Sequence, residues 1–392
     1  MEDRGQNVDL SPEIIYEILS RLPVKPLYRF KCVSKPWRSL ISHPDFVANY
    51  SKAIENKDVF FRRRRLLFSL YGQRKRLYSL NLDQFLNENH NVDVDCLVAT
   101  PTELDFVYNH IPTGRLGWIP FVQCSCYGLF LSLEASKGCY SVSLINPVTK
   151  ESKTLEKAPI ERSEPVKRYP WHLYGLGFDY STNEYKVIHV RDYHHGTGLG
   201  FCVYTLQTDS WRQIDPLFPY NLLPFDGILL NGGVHWLVTK VADKSLVIMS
   251  FLLAEEEVRE IALPPNVTTS SIQLVAFGNW LCITPQSRKD DEVTFNEFWI
   301  MKEYGVRESW TKMQVAIPFH QLSHSGFWTE TYDLMVFDDS LVMYNFDDGT
   351  FWNLSIGKSS DDHFGTVGIY LESLPSLNRS RTTRPKEDES TQ

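Results

Sequence analysis

One feature constrains this chain more than any other: near residue 55 the spacing of its apolar residues changes from helical to alternating. Upstream, Ile14, Ile15, Ile18, Leu19 and Leu22 fall at the three- and four-residue steps of one helical face. Ser11 stands where its hydroxyl can cap free amides, and Pro12 takes the first helical position, where no amide donor is needed. Pro23 ends that helix. Pro26 is predicted to open a second, carrying Leu27, Phe30 and Val33, and Ser34 to cap a third. In the third, Trp37, Leu40 and Ile41 face inward, with Pro36 tolerated in the first turn. Pro44 stops it, and Phe46, Val47 and Tyr50 predict one further short turn or helix. Helices this short cannot hide apolar residues on more than one face unaided. Their excess surface is expected against a separate partner or against the domain that follows, and spacing alone favours neither.

From 57 to 372 the period is two. Val59-Phe60-Phe61, Tyr140 to Ile145, Phe201 to Leu206, Val234 to Val238 and Leu341 to Tyr344 read as strands divided by polar breaks such as Asn146-Pro147. No long amphipathic helix interrupts them, which argues against a parallel α/β fold. A loose repeat is present. The hairpin from Gly175 to Ile188 is followed by a second from Val203 to Ile214, and similar pairs recur at Gly233 to Ile261 and Leu281 to Met313. A Ser-Trp pair, Ser210-Trp211 and Ser309-Trp310, holds the same place in the unit. Four strands recurring every ~45 to 60 residues are what a β-propeller blade requires. Five or six such units fit the length, and Thr366 to Leu371 can pair back to the first and close the ring. A large two-sheet sandwich remains the alternative. The expected fold class is α+β multidomain: an all-α module at 7–52, an all-β, propeller-like domain at 57–372, and a disordered tail at 378–392.

The net charge of −8 argues against general nucleic-acid binding, which needs a surplus of Lys and Arg. No apolar run approaches the roughly 20 residues that span a bilayer, so no membrane role is expected. Seven scattered Cys do not make a disulfide framework, which suits a cytoplasmic or nuclear setting. Gly196-Thr197-Gly198-Leu199-Gly200 looks like a phosphate loop, but a strand follows where a helix N-terminus would be needed, so a hairpin loop is expected. Cys124 and Cys126 share one strand face without a second metal-ligand pair at zinc spacing, and read as buried small hydrophobes. His194-His195 reads as loop polarity. Arg62-Arg63-Arg64-Arg65 offers a nuclear address, an anion-binding strip, or two arginines on one exposed strand face. Trp211, Trp236, Trp299 and Trp310 are expected in blade packing. No metal, cofactor or catalytic residue set is predicted, and a propeller enzyme acting on sugars or oxidised carbon would need clustered acids or metal ligands that the sequence does not offer.

Leu10-Ser11-Pro12-Glu13, Ile18 to Lys25, Leu27, Arg29 to Lys35, Trp37, Leu40-Ile41 and Phe46 resemble a plant F-box in order and spacing. Ser11 stands where the family usually has Pro, and Pro26 where it usually has Ser or Thr. The remainder resembles the F-box-associated, kelch-like domain that usually follows, at Ser125 to Leu129, Ile145 to Pro147, Gly175 to Val187, Ser210 to Arg212, His235-Trp236 and Glu297 to Trp310. The resemblance implies a non-catalytic subunit of a Skp–cullin–F-box ubiquitin ligase. It would bind a Skp-family adaptor, and through it a cullin–RING ligase, while the β domain holds an unknown protein substrate. Leu10, Pro12, Ile14, Leu19, Leu22, Pro23, Leu27 and Val33 are the expected adaptor-groove residues, with Phe30 and Trp37 as larger anchors or internal core. The alternative is an interaction scaffold that binds the adaptor without directing ubiquitination. Residues 192–200, 215–231 and 286–296 are the loops expected to be long enough to contact a target.

Overall fold

The structure, a computed structural model, describes residues 10–53, 59, 63–71, 76–81, 96–98, 101–110, 121–136, 139–159, 172–193, 198–223, 227–265, 267, 272–277, 279–285, 296–315, 322–325, 332–337, 340–345, 347–355, 363–374 and 376–377. The N-terminal helices are α1 (Pro12–Arg21), α2 (Val24–Phe30), α3 (Lys35–Ser42) and α4 (Pro44–Lys52). Their ends follow from local chemistry. Ser11 Oγ accepts the Ile14 amide at 3.4 Å, and Ser34 Oγ accepts the Trp37 amide at 3.2 Å, so both expected caps form. α2 starts at Val24 rather than at Pro26: Pro23 is extended as its cap, and Pro26 falls in the first turn, where its missing donor costs nothing. Pro44 ends α3 and opens α4. Leu19, Val24, Leu27, Ile41, Phe46, Val47 and Tyr50 fill the centre, joined by Leu374 from the far end of the chain.

Among the described residues the strands form six sheets of four or five strands, antiparallel but for one edge strand. In the first, Arg64–Tyr71, Arg76–Asn81 and Thr102–Glu103 are joined by the last strand, His363–Leu371, which pairs with Arg64–Tyr71 in the register Arg64 to Leu371. That is the expected ring closure. The second sheet holds Phe121–Cys126 to Glu151–Thr154, the third His172–Asp179 to Ser210–Phe218, the fourth Tyr220–Leu222 to Glu257–Ile261, and the fifth Ile272–Phe277 to Trp310–Val315. The sixth, Leu322–Ser325 to Phe351–Ser355, accepts Cys96–Val98 in parallel on its outer edge. Successive sheets pack side by side in that order, and Cys96–Val98 ties the sixth back to the first. The arrangement is a β-propeller, not a two-sheet sandwich.

Close approach and polar ties hold the sheets together. Gly175 and Gly177 line the seam between the third and fourth: a Cβ would lie 2.6 Å from Val234 Cγ1 in one case and 2.3 Å from Leu253 Cδ1 in the other. Across the same seam Lys186 Nζ donates to Asp179 at 2.7 Å, to the Leu253 carbonyl at 2.7 Å and to Glu256 at 2.9 Å. Burial alone would raise the Asp179 pKa, but bonds from Lys186, Ser181 and Thr182 outweigh it and bring it to about 2. The recurring Ser-Trp pairs act alike. Trp211 Nε1 donates to the Glu156 carbonyl at 2.7 Å, and Trp310 Nε1 to the Ala262 carbonyl at 2.9 Å. Each indole on an outer strand thus stitches its sheet to the linker leaving the previous one. Trp236 is fully buried, so the expected packing role holds for all three.

Three expectations change. The first strand begins at Arg64, with Val59 helical, while Phe60 and Phe61 lie outside the described residues. Residues 215–231 are not one long loop, because Ser210–Phe218 runs on into Tyr220–Leu222 and Ile228–Leu230, both paired with Gly233–Lys240. The arginine run does not decorate an exposed face: Arg63 and Arg64 are buried and Arg65 nearly so. Arg62, the 286–295 connection and the 378–392 tail lie outside the described residues.

Candidate functional site

α1 carries apolar residues on two faces. Ile15, Leu19 and Leu22 turn toward the module core, while Ile14 and Ile18, one turn apart, point outward in line with Leu10. Leu10 is 49% exposed, Ile14 49%, Ile18 46% and Val33, just after α2, 62%. Tyr28 on α2 is also exposed. These side chains remain in water although the core beneath them is complete, which marks a surface built for contact rather than a packing defect.

The ten residues expected at this surface divide accordingly. Leu10, Pro12, Ile14, Pro23 and Val33 are exposed. Leu22, Phe30 and Trp37 are half-buried against the module core, and the Phe30 and Trp37 rings meet edge to face at 5.3 Å. Leu19 and Leu27 are a correction: both are 0% exposed. They hold the helices together and reach no partner without unfolding the module. Ile18 and Tyr28 were not among the expected contacts. The signal for Ile18 was present, since it repeats Ile14 at four residues, whereas Leu19 lies about 100° around the helix from it.

The helices sit on one face of the ring, held by a buried basic contact. The Arg63 guanidinium lies 3.5 Å over the Tyr50 ring and donates to the carbonyls of Tyr50 at 2.7 Å and Ser20 at 3.4 Å. Tyr50 in turn donates its hydroxyl to the Leu22 carbonyl at 2.8 Å. Burial lowers the Arg63 pKa, partly offset by Tyr50 and Glu372. Arg65 Nε donates to Glu372 at 3.1 Å. Beside this contact a cleft of about 530 Å³ opens between α2 and the first sheet, with Lys25 and Arg29 on the helical wall and Glu103 and Tyr370 opposite.

Turns at this face meet one another round the ring. Val148, in the second sheet's last turn, packs on the helical core. Tyr127 is hydrogen-bonded to Tyr180 in the third sheet's first turn, Lys186 reaches the fourth sheet's last turn, and His235 reaches Tyr304 in the fifth. Antiparallel alternation therefore places the hairpin end at Tyr193 and Gly198, and the ends Pro285 and Asn296, on the opposite face. Tyr193 pairs with Gly198 as the end of a plain strand hairpin with no helix behind it, as expected for the glycine-rich stretch. His194 and His195 lie outside the described residues. Cys126 is buried as expected.

Among the described residues no group of three or more His, Cys, Asp or Glu is placed to hold a metal ion. The pair Ser250 Oγ and His235 Nε2, 3.1 Å apart, has the spacing of a nucleophile and base. Yet Ser250 is buried, His235 Nδ1 meets the Ile228 carbonyl at 3.0 Å, and Nε2 meets the Tyr304 hydroxyl at 2.6 Å. That geometry ties sheets together and leaves no room for a substrate.

Here a short helical module with a complete core and a second, exposed apolar stripe is fixed to one face of a β-propeller. Residues 8–49 match the family described as "F-box domain", and residues 104–377 match "F-box associated beta propeller domain". The chain belongs to the F-box associated β-propeller family. It is 26% identical to an F-box/kelch-repeat protein of Arabidopsis thaliana over 88% of this chain and 89% of that protein. It is also 26% identical to the F-box protein CPR1 of the same plant, over 77% of this chain and 71% of that protein. The solved structure of TolB from Acinetobacter baumannii overlays with a TM-score of 0.44 and 8% identity, across 79% of this chain and 67% of that one, too distant to carry any inference.

Proposed function

We propose that this protein is the substrate-recognition subunit of a Skp–cullin–F-box ubiquitin ligase. The observation that carries the reading is the exposed stripe of Leu10, Ile14 and Ile18, with Val33, on a module whose core is already filled without them. A groove on a Skp-family adaptor takes such apolar anchors, and buried anchors at the centre of an interface supply most of its affinity. The adaptor joins a cullin carrying a RING protein and a charged conjugating enzyme. The ring holds the target on the face away from the helices, toward which Tyr193 and Gly198 point as the last described pair of their hairpin. The subunit breaks no bond itself. Holding target lysines beside the conjugating enzyme raises their effective concentration, so its contribution to rate is proximity.

The test is recovery of a Skp-family adaptor by the full chain, wild type against an Ile14→Asp, Ile18→Asp double variant. Loss of recovery by more than tenfold, with the thermal unfolding midpoint nearly unchanged, is the expected result. Equal recovery by the two proteins overturns the docking surface. If the adaptor binds yet no protein accumulates when this one is depleted from cells, the chain is an adaptor-binding scaffold instead.

A further inference from the structure

Residues 372–374 and 376–377 lie beyond the strand that closes the ring, and they make contacts at three separate places. The Glu372 amide donates to the Arg63 carbonyl at 2.9 Å, while its carboxylate accepts from Arg65 at 3.1 Å. Leu374, 1% exposed, is part of the helical core with Leu19, Leu27, Ile41 and Tyr50. Ser376 Oγ and the Leu377 amide both donate to Glu151, at 3.0 and 2.9 Å, and Leu377 packs in the seam between the second and third sheets. On its way the chain crosses Gly128 so closely that a Cβ there would lie 2.4 Å from the Leu371 carbonyl oxygen and 2.6 Å from Ser373 Cβ. Gly128 also holds φ at +88°, so two separate constraints call for glycine under this crossing.

We propose that residues 372–374, with 376 and 377, form a strap that completes the helical module and sets the direction of its exposed stripe relative to the ring. Two attachments make this work. One enters through Arg63, just before the first strand, and the other leaves through Leu374, just after the last. Arg64 pairs with Leu371, so the two attachments lie side by side. A single linker would leave the helices free to swing, whereas a pair of adjacent anchors on different helices removes that freedom. Arg63 holds the ends of α1 and α4, and Leu374 enters the space among α1, α2, α3 and α4. A module this small builds only a marginal core alone. Its missing piece follows every strand of the described ring in the chain and arrives only when His363–Leu371 has docked on the first sheet. Docking competence is therefore coupled to ring closure: a truncated or open-ringed chain carries helices with a hole at the Leu374 position.

The coupling to an adaptor rests on the receptor reading above, but the packing role is tested without one. Hydrogen–deuterium exchange is followed in the full-length chain for wild type, Leu374→Ala, Leu374→Val and Leu374→Met. Amides of α1 to α4 are expected to exchange at least tenfold faster in the Ala variant and less so in Val, with His172–Asp179 and Glu184–Tyr193 unchanged. Adaptor affinity should fall severalfold in Ala and recover, together with exchange protection, in Met. Wild-type exchange in the helices of the Ala variant overturns the strap. So does equal acceleration of helices and third-sheet strands in both Ala and Val, because Leu374 would then serve the whole molecule and not the module. If wild type takes no adaptor, the receptor reading fails while the exchange result still decides the strap.

Discussion

Between Leu10 and Val33 the helical module leaves Leu10, Ile14, Ile18, Tyr28 and Val33 exposed, whereas the much longer described ring leaves only Tyr180, Leu217, Tyr304 and Val306. The difference comes from how each region closes. Sheets arranged in a ring bury both faces against neighbours, so alternation along a strand uses up apolar side chains completely. Helices as short as α2 and α3 bury one stripe and have no layer to cover a second. The ring then adds polar ties across its seams, while Arg63 ties the module at its base through the carbonyls of Tyr50 and Ser20. One region is closed on itself and the other is finished only by contact.

The comparison can be broken by substitution. Trp236→Ala in the ring should cost about 3–5 kcal/mol, and Leu27→Ala in the module about 2–5 kcal/mol, read from urea unfolding of each region's amides. Ile18→Ala, a chemically similar deletion at an exposed position, should change stability by less than about 0.5 kcal/mol. If Ile18→Ala proved as costly as Leu27→Ala, the division of α1 and α2 into inner and outer faces would be wrong. A second effect belongs to the ring alone. Burial lowers the His235 pKa from 6.5 to about 4, opposed by its backbone contacts at Ile228 and Gly233. Between those two values the unfolded chain takes up a proton that the folded one refuses. Stability should therefore be complete above pH 6.5 and decline as pH falls toward 4, by an amount on the order of 3 kcal/mol. His235→Gln should flatten that slope, and an unchanged slope would place its origin elsewhere. The smallest effect is expected at the exposed pair Arg76 and Glu103, 3.0 Å apart: Arg76→Ala should alter the unfolding free energy by less than about 1 kcal/mol, and by nothing measurable at high salt.

What could be read from sequence depended on how local the cause was. Ser11 and Ser34 announce their caps because donor and acceptor are three residues apart. The third sheet was legible as two hairpins, since each pairs neighbours in the chain, and the Ser210-Trp211 and Ser309-Trp310 pairs marked equivalent outer strands. On α1 the sequence pairs Ile14 with Ile18 and Ile15 with Leu19, but which pair turns inward is set by the neighbours. Arg63 and Arg65 looked like surface charge because their partners, Tyr50 and Glu372, lie in other elements, the second some three hundred residues away. Cys96–Val98 was invisible for a related reason: three residues give no period, and its partner Asn353–Ser355 is at the other end of the chain.

The outer strands described above bear on a separate hazard. A propeller hides its inner edges but presents one unpaired edge per sheet to solvent, and such edges invite strand addition by other chains. Here Ser210–Phe218 carries Arg212, Asp215 and Pro216, Glu257–Ile261 carries Glu257, Arg259 and Glu260, and Trp310–Val315 carries Lys312. Proline withholds a donor and the charges resist burial between strands. The ring is thus poorly suited to act as a template for the aggregation of other chains.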